Sequence, residues 1–266
     1  MTTGPIAYDP AGDAVEQFNS LLRELVDLIN DVNEQVRQFV DNLNAVLRWI
    51  PFWIADGIVA VANAAVDGVS WLIDQNLEMI RRAGAPWTLS GTGARWTNQV
   101  GAVTAGIAPR ICEDELETLW RWSGPAQRAY SASVARQKTA VGDIKDLTDM
   151  LDTALVEYCW GIVALWVAIV AAYVAFATAV AVAVVAAVSV VGAPASPALI
   201  VAGVAAAAAL IVTAVAAFQA FATMVNGKLT TFRQTLAGYD QFGTGSWPAS
   251  TTKNFDDSSD DWGIDG

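Results

Sequence analysis

Between residues 13 and 50 the apolar positions fall at Val15, Phe18, Leu22, Leu25, Ile29, Val32, Val36, Phe39, Leu43, Val46 and Ile50, spacings of three and four. Residues so spaced share one helical face, so the stretch predicts an amphipathic helix with heptad character. Asp9 and Pro10 suit its start, and Glu16, Glu24, Asp27, Asp31, Glu34 and Asp41 lie off the stripe, in water. The stripe either packs inside this molecule or pairs with a second chain as a coiled coil. Pro51 kinks or ends the helix. A second pattern, Ile54, Ile58, Val61, Ala65, Val69, Leu72, Ile73, Leu77 and Ile80, reaches Arg81 and Arg82 before Gly84 and Pro86 close it. Asp56, Asn63, Asp67 and Asp74 interrupt this pattern, and burying a carboxylate in a bilayer costs about 2.5–3.5 kcal/mol. The second helix therefore reads as amphipathic and not transmembrane.

Residues 86–93, rich in Pro, Ser, Thr and Gly, read as a connector. A third pattern begins with Trp96, Val100, Val103 and Ile107, kinks at Pro109 and resumes through Ile111, Leu116 and Leu119 to Trp122. Ser123 and Gly124 then turn the chain, with Pro125 in the first position of the longest helix. That helix carries Tyr130, Val134, Val141, Ile144, Leu147, Leu151, Leu155 and Tyr158 on one face, turned back toward the preceding arm. An antiparallel helical hairpin results, with Trp96, Ile144 and Leu151 in its packing. Trp122 offers a flat surface to clamp the base, Gly124 permits close backbone approach, and Ala126 and Ala129 let the helices meet.

No Asp, Glu, Lys or Arg occurs from residue 158 to residue 227, and Gly192 to Pro197 splits that stretch in two. The halves, Trp160 to Val191 and Ala198 to Val225, each exceed the roughly 20 apolar residues that a bilayer core requires. Lys138 and Lys145 precede them and Lys228 and Arg233 follow, so both open ends face the same aqueous side. The pattern predicts a re-entering hairpin whose tip holds Gly192, Pro194 and Pro197 and no charge. The competing arrangement is a soluble hairpin covered by the upstream helices. Beyond Arg233 the pattern gives way to glycines and an acidic end around Trp262, expected to be disordered, either solubilising or a recognition peptide.

The fold class that follows is all-α, an elongated helical bundle. Its expected parts are N-terminal amphipathic helices over 1–85, a helical hairpin over 86–158 whose second helix continues onward, an apolar hairpin over 159–227, and a short helical end with the tail over 228–266. Composition narrows the function. Hydrophobic residues make up 54% and charged residues 16% of the 266, so a membrane-facing or extended buried surface is expected. The net charge of −12 argues against nucleic acid, whose binding needs clustered cations. The chain has no histidine, which removes the commonest general base and metal ligand. Cys112 and Cys159 read as small apolar fillers. Gly91 and Gly93 lack the lysine and strand of a phosphate loop and suit a loop at a helix start; Glu113, Asp114, Glu115 and Glu117 read as solvated surface. No enzyme, cofactor or metal site is expected. Met1 to Pro10 lacks the features of a cleaved Sec-type leader, so export would use another address.

The run Trp122-Ser123-Gly124-Pro125-Ala126-Gln127-Arg128-Ala129-Tyr130, set between two amphipathic arms, resembles the Trp-x-Gly family of substrates of actinobacterial type VII (ESX) secretion. Residues 86–158 carry the likeness, with Trp96 early in the first arm, Trp122 and Gly124 at the turn, and Tyr130 soon after it. The larger members are similar in placing extra helices before the hairpin and an apolar helical region after it. The resemblance implies export through an ESX machine, commonly as a bundle with a helical partner or a second copy, and no catalysis by the hairpin. The chain departs from the family in one respect: the acidic residue that relatives place four positions after a tyrosine is missing after Tyr130, Tyr158, Tyr173 and Tyr239. Two functions follow as expectations. One is a non-enzymatic secreted or cell-surface protein acting by helical association or membrane insertion, including pore formation; the other is a resident membrane scaffold with its bundle on one side of the bilayer.

Overall fold

The computed structural model describes residues 10–112 and 123–238, and every regular element among them is helical. Helix α1, Pro10–Leu47, starts at the proline where the sequence placed it. It ends three residues before Ile50 in a tight turn, with the Trp49 N–H donating to the Val46 carbonyl at 2.9 Å. Helix α2, Phe52–Arg81, follows directly, and the Pro51 carbonyl accepts the N–H groups of Ile54 and Ala55, both at 3.0 Å. Proline fits there because the groups before a helix's first turn need no N–H of their own.

Helix α3, Trp87–Trp96, corrects the reading of residues 86–93 as a connector. The Leu89 N–H donates to the Pro86 carbonyl at 3.1 Å and the Thr88 hydroxyl to the Ala85 carbonyl at 2.7 Å, so Pro86 precedes a helix instead of interrupting a loop. Gly91 and Gly93 consequently lie inside a helix and not in a loop at its start. A π-helical turn, Thr97–Gly101, a short helix α4, Ala102–Ile107, and a 3-10 turn, Ala108–Arg110, complete this arm, which tightens at Pro109 as expected. Helix α5, Pro125–Ala187, is the longest described element and begins at the expected proline; α6, Ser196–Gly238, follows it. Trp122, the cluster from Glu113 to Glu117 and the acidic end beyond residue 238 lie outside the described residues.

The described residues fall into two compact units, one containing residues 10–89 and 157–224, the other 90–112, 123–156 and 225–238. In the first, α1 turns its stripe (Phe18, Leu25, Ile29, Val32, Phe39, Leu43) into a core shared with Ile58, Ala65 and Leu72 of α2, Trp166, Tyr173 and Phe176 of α5, and Ile200 and Ala207 of α6. Phe18 anchors it, edge-on to Trp87 at 5.6 Å and to Trp166 at 6.0 Å between ring centres. Helix α2 lies antiparallel to α5: the Tyr173 hydroxyl donates to the Leu72 carbonyl at 3.1 Å, while Glu78, Met79 and Arg82 line a hollow with Tyr158, Ile162 and Leu165. The same carbonyl accepts the Asn76 side-chain amide at 2.7 Å, so one acceptor serves two buried donors and sets the register of the two helices.

In the second unit the arm beginning with α3 packs antiparallel on α5, with Gly93 opposite Asp152 and Gly101 opposite Thr148. A Cβ added at Gly93 would come within 2.9 Å of the Asp152 Cα, and one at Gly101 within 3.3 Å of the Thr148 Cβ. These glycines are therefore what lets the two backbones approach. Substituting Gly93 with Val is expected to pry the arm from α5, destabilising this unit by about 1–3 kcal/mol, the usual cost of overpacking. Faster amide exchange confined to residues 90–105 and their α5 partners checks this, and unchanged protection contradicts it.

Candidate functional site

The chain's largest chemical asymmetry is the charge-free hairpin formed by residues 159–187 of α5 and the first part of α6. Three described helices are long and apolar enough to cross a membrane: Phe52–Arg81, Gln127–Ala187 and Ser196–Gly238. The first was not expected, because Asp56, Asp67 and Asp74 looked too closely spaced; an 18-residue window nevertheless holds no more than two charges. Inside the fold α6 is the barest of the three. Only 17% of its most apolar window is buried, against 39% for α5. Ile200, Gly203 and Ala207 face inward, with a Cβ at Gly203 3.5 Å from the Phe176 ring, while Leu199, Val201, Leu210 and Val212 face outward.

Helix α5 is shorter, and the tip correspondingly longer, than the sequence pattern suggested. Helix α5 stops at Ala187 and not at Val191, and α6 resumes at Ser196. The stop has a local cause: the Gly192 N–H donates to the Ser189 hydroxyl at 2.9 Å, and a Cβ on Gly192 would collide with the Ala186 carbonyl. Of the three residues assigned to the tip, Gly192 is half-buried and Pro194 exposed, but Pro197 is buried in the first turn of α6. The residues that project are Val188, Val190 and Val191, the last 92% exposed.

The turn residues of the other hairpin have a different distribution. Gly124 has φ +110°, a conformation open to glycine and strained for other residues, and among the described residues no atom lies within 4 Å of a Cβ placed on it. The backbone conformation is thus one reason for glycine at this turn, and among the described residues close backbone approach is seen at Gly93 and Gly101. The Gly124 carbonyl accepts the Arg128 N–H at 3.3 Å, closing the first turn of α5. Tyr130, Ile144 and Leu151 are half-buried, whereas Trp96 is 47% exposed and lies outside the helix packing expected of it. The inward face of its arm is built from Ser90, Gly93 and Gly101, small residues that a search for large apolar side chains passes over.

Against these small residues α5 presents Asp152, whose buried Oδ1 faces the buried hydroxyl of Thr97 in the π-helical turn. Burial raises the Asp152 carboxyl above the usual carboxylate range and the charge of Asp149 adds to this, with Thr97 acting in the opposite direction. Asp143, raised by burial and by Asp146, shifts the same way. A carboxyl with a raised native pKa favours folding in its neutral form. The contribution is therefore fully present below the ordinary carboxylate pKa and is lost as pH rises through the native value. Denaturant unfolding of this unit is expected to show higher stability in mild acid than at neutrality, with a shallower pH dependence in Asp152→Asn. An unchanged slope in that variant would show that Asp152 is not the titrating group.

Among the described residues no group of His, Cys, Asp and Glu is placed to hold a metal ion. Compared with known proteins, the chain matches no family model, no curated protein and no solved structure. The class of protein is thus defined by the fold alone: an all-α chain with long apolar helices suited to membrane association.

Proposed function

We propose that the protein is a non-enzymatic helical effector that acts by placing its charge-free hairpin in a lipid bilayer after type VII export. The observation that carries the membrane part is the outward face of α6, where Leu210 and Val212 stand in a stretch without a single ionisable side chain. A water-exposed surface that is apolar over many helical turns is costly unless lipid or protein covers it. The absence of charge from both arms and the tip favours lipid, since a protein partner would tolerate polar positions that a bilayer core does not. The export part is supported by the resemblance of residues 86–158 to Trp-x-Gly substrates, by the left-handed Gly124 at the turn, and by the antiparallel arms on either side of it.

Fractionation of the producing cell tests both parts. The chain is expected in culture filtrate or on the cell surface when the ESX motor ATPase is present, and absent from both without it. Retention in carbonate-washed membrane regardless of the motor would replace export with the resident scaffold, and confinement to the soluble lysate would overturn the membrane part as well.

A further inference from the structure

The first unit brings two turns to one end of its bundle, and both project apolar side chains into solvent. The register of the helices fixes this. Tyr173 of α5 meets Leu72 of α2, and Phe18 of α1 meets Trp166 of α5. At about 1.5 Å per residue, Ala187 lies roughly 21 Å beyond Tyr173, the distance that separates Leu72 from Ile58 along α2. Phe52, six residues further along α2, lies about 9 Å beyond that level, so the α1–α2 turn and the α5–α6 tip share one end of the bundle, with the turn protruding further.

The first turn offers Trp49, Phe52 and Trp53, which are 80%, 74% and 68% exposed, with the rings of Phe52 and Trp53 edge to face at 5.4 Å. The second offers Val188, Val190 and Val191, also exposed. Large aromatic rings held in water on this turn serve no packing purpose within the unit. Trp at the margin of an apolar surface is the composition that settles at the boundary of headgroups and acyl chains.

We infer that this combined end, Trp49, Phe52 and Trp53 beside Val188, Val190 and Val191, is the surface by which the protein first docks on a bilayer, and that it selects neutral zwitterionic lipid. The inference rests on the membrane reading above and adds to it the point of contact and the lipid class. Charge supports the choice of lipid. The end carries one cation, Arg48, against the exposed Asp41 and Asp56, and the tip carries no charge, whereas the chain as a whole stands at −12 and α1 keeps its acids exposed. A nearly neutral end on an acidic molecule is repelled least by a zwitterionic surface; an anionic bilayer would repel both Asp41 and Asp56 and the rest of the chain.

The test is flotation of the full chain with phosphatidylcholine vesicles, repeated with one third phosphatidylglycerol, each at low and high salt. Three proteins accompany the wild type: Trp49→Ser/Phe52→Ser/Trp53→Ser, Val188→Asp/Val191→Asp, and Trp71→Ser. Trp71 is exposed on α2, roughly 28 Å from the turn by helix rise, and serves as control. The substituted side chains are exposed, and far-ultraviolet circular dichroism verifies that each protein keeps its helices. Expected is binding of the wild type and of Trp71→Ser to phosphatidylcholine, at least a roughly tenfold loss in each of the two tip variants, and no gain from anionic lipid. Wild-type binding that survives in both tip variants overturns the docking end and leaves the membrane reading standing. Wild type that never floats overturns both. Tip variants that lose only self-association, seen by sedimentation without lipid, would assign the end to a second copy of the chain instead.

Discussion

Val212→Asp is expected to leave the lipid-free fold intact and to weaken partitioning into vesicles on the order of a hundredfold. Val212 is 67% exposed on α6, and a charge on an exposed helix face normally changes stability by no more than about 0.5 kcal/mol. The same carboxylate near the middle of a bilayer-spanning segment costs about 2.5–3.5 kcal/mol, where each 1.4 kcal/mol is tenfold. The substitution therefore has opposite consequences in the two arrangements open to the hairpin. Circular dichroism and thermal unfolding read the first effect and flotation the second. Binding within a factor of three of the wild type would mean that this face of α6 never meets hydrocarbon.

Phe18→Ala is expected to destabilise the first unit by about 3–5 kcal/mol, the range for truncating a large buried aromatic. Phe18 is almost fully buried and touches Trp87 and Trp166 together, so its loss opens a cavity where α1 joins α5 and the start of α3. Domains of ordinary stability have about 5–15 kcal/mol in total, so the variant should unfold at markedly lower urea concentration. A loss below about 1 kcal/mol would show that α1 is not seated on the hairpin through this residue. The comparison matters for function, because α1 and α2 cover the inward face of the same helices whose outward face is proposed to enter lipid.

Much of this arrangement was legible in the sequence because large residues and prolines signal strongly. The stripe from Phe18 to Val46 predicts the buried face of α1, and Pro10 and Pro125 mark the helix starts observed, with Pro51 immediately before a third. The charge-free run likewise predicts the paired apolar helices. What escaped was carried by small residues and by geometry at a distance. Ser90, Gly93 and Gly101 have no hydrophobic period to detect, so the arm's inward face was assigned to Trp96, Val100, Val103 and Ile107, of which the fold leaves all but the half-buried Val100 outside. Valine continues past Ala187, and only the contact of Gly192 with Ala186 and Ser189 ends the helix there. That Trp49, Phe52 and Trp53 share an end of the bundle with the α5–α6 tip depends on the registers of three helices, which local spacing does not encode. Gly124 was found for its position, whereas the left-handed backbone that calls for glycine there has no signal in hydrophobic spacing.

The central claim is that the charge-free hairpin leaves water for lipid, and carbonate extraction tests it most directly. The purified full chain is mixed with phosphatidylcholine vesicles, washed at alkaline pH and re-floated, while a lipid-free sample is sedimented without detergent. The account predicts that the chain stays with the vesicles through the wash and that the lipid-free sample self-associates through its uncovered apolar faces. Complete release into the wash, together with a monodisperse monomer in plain buffer, would contradict it.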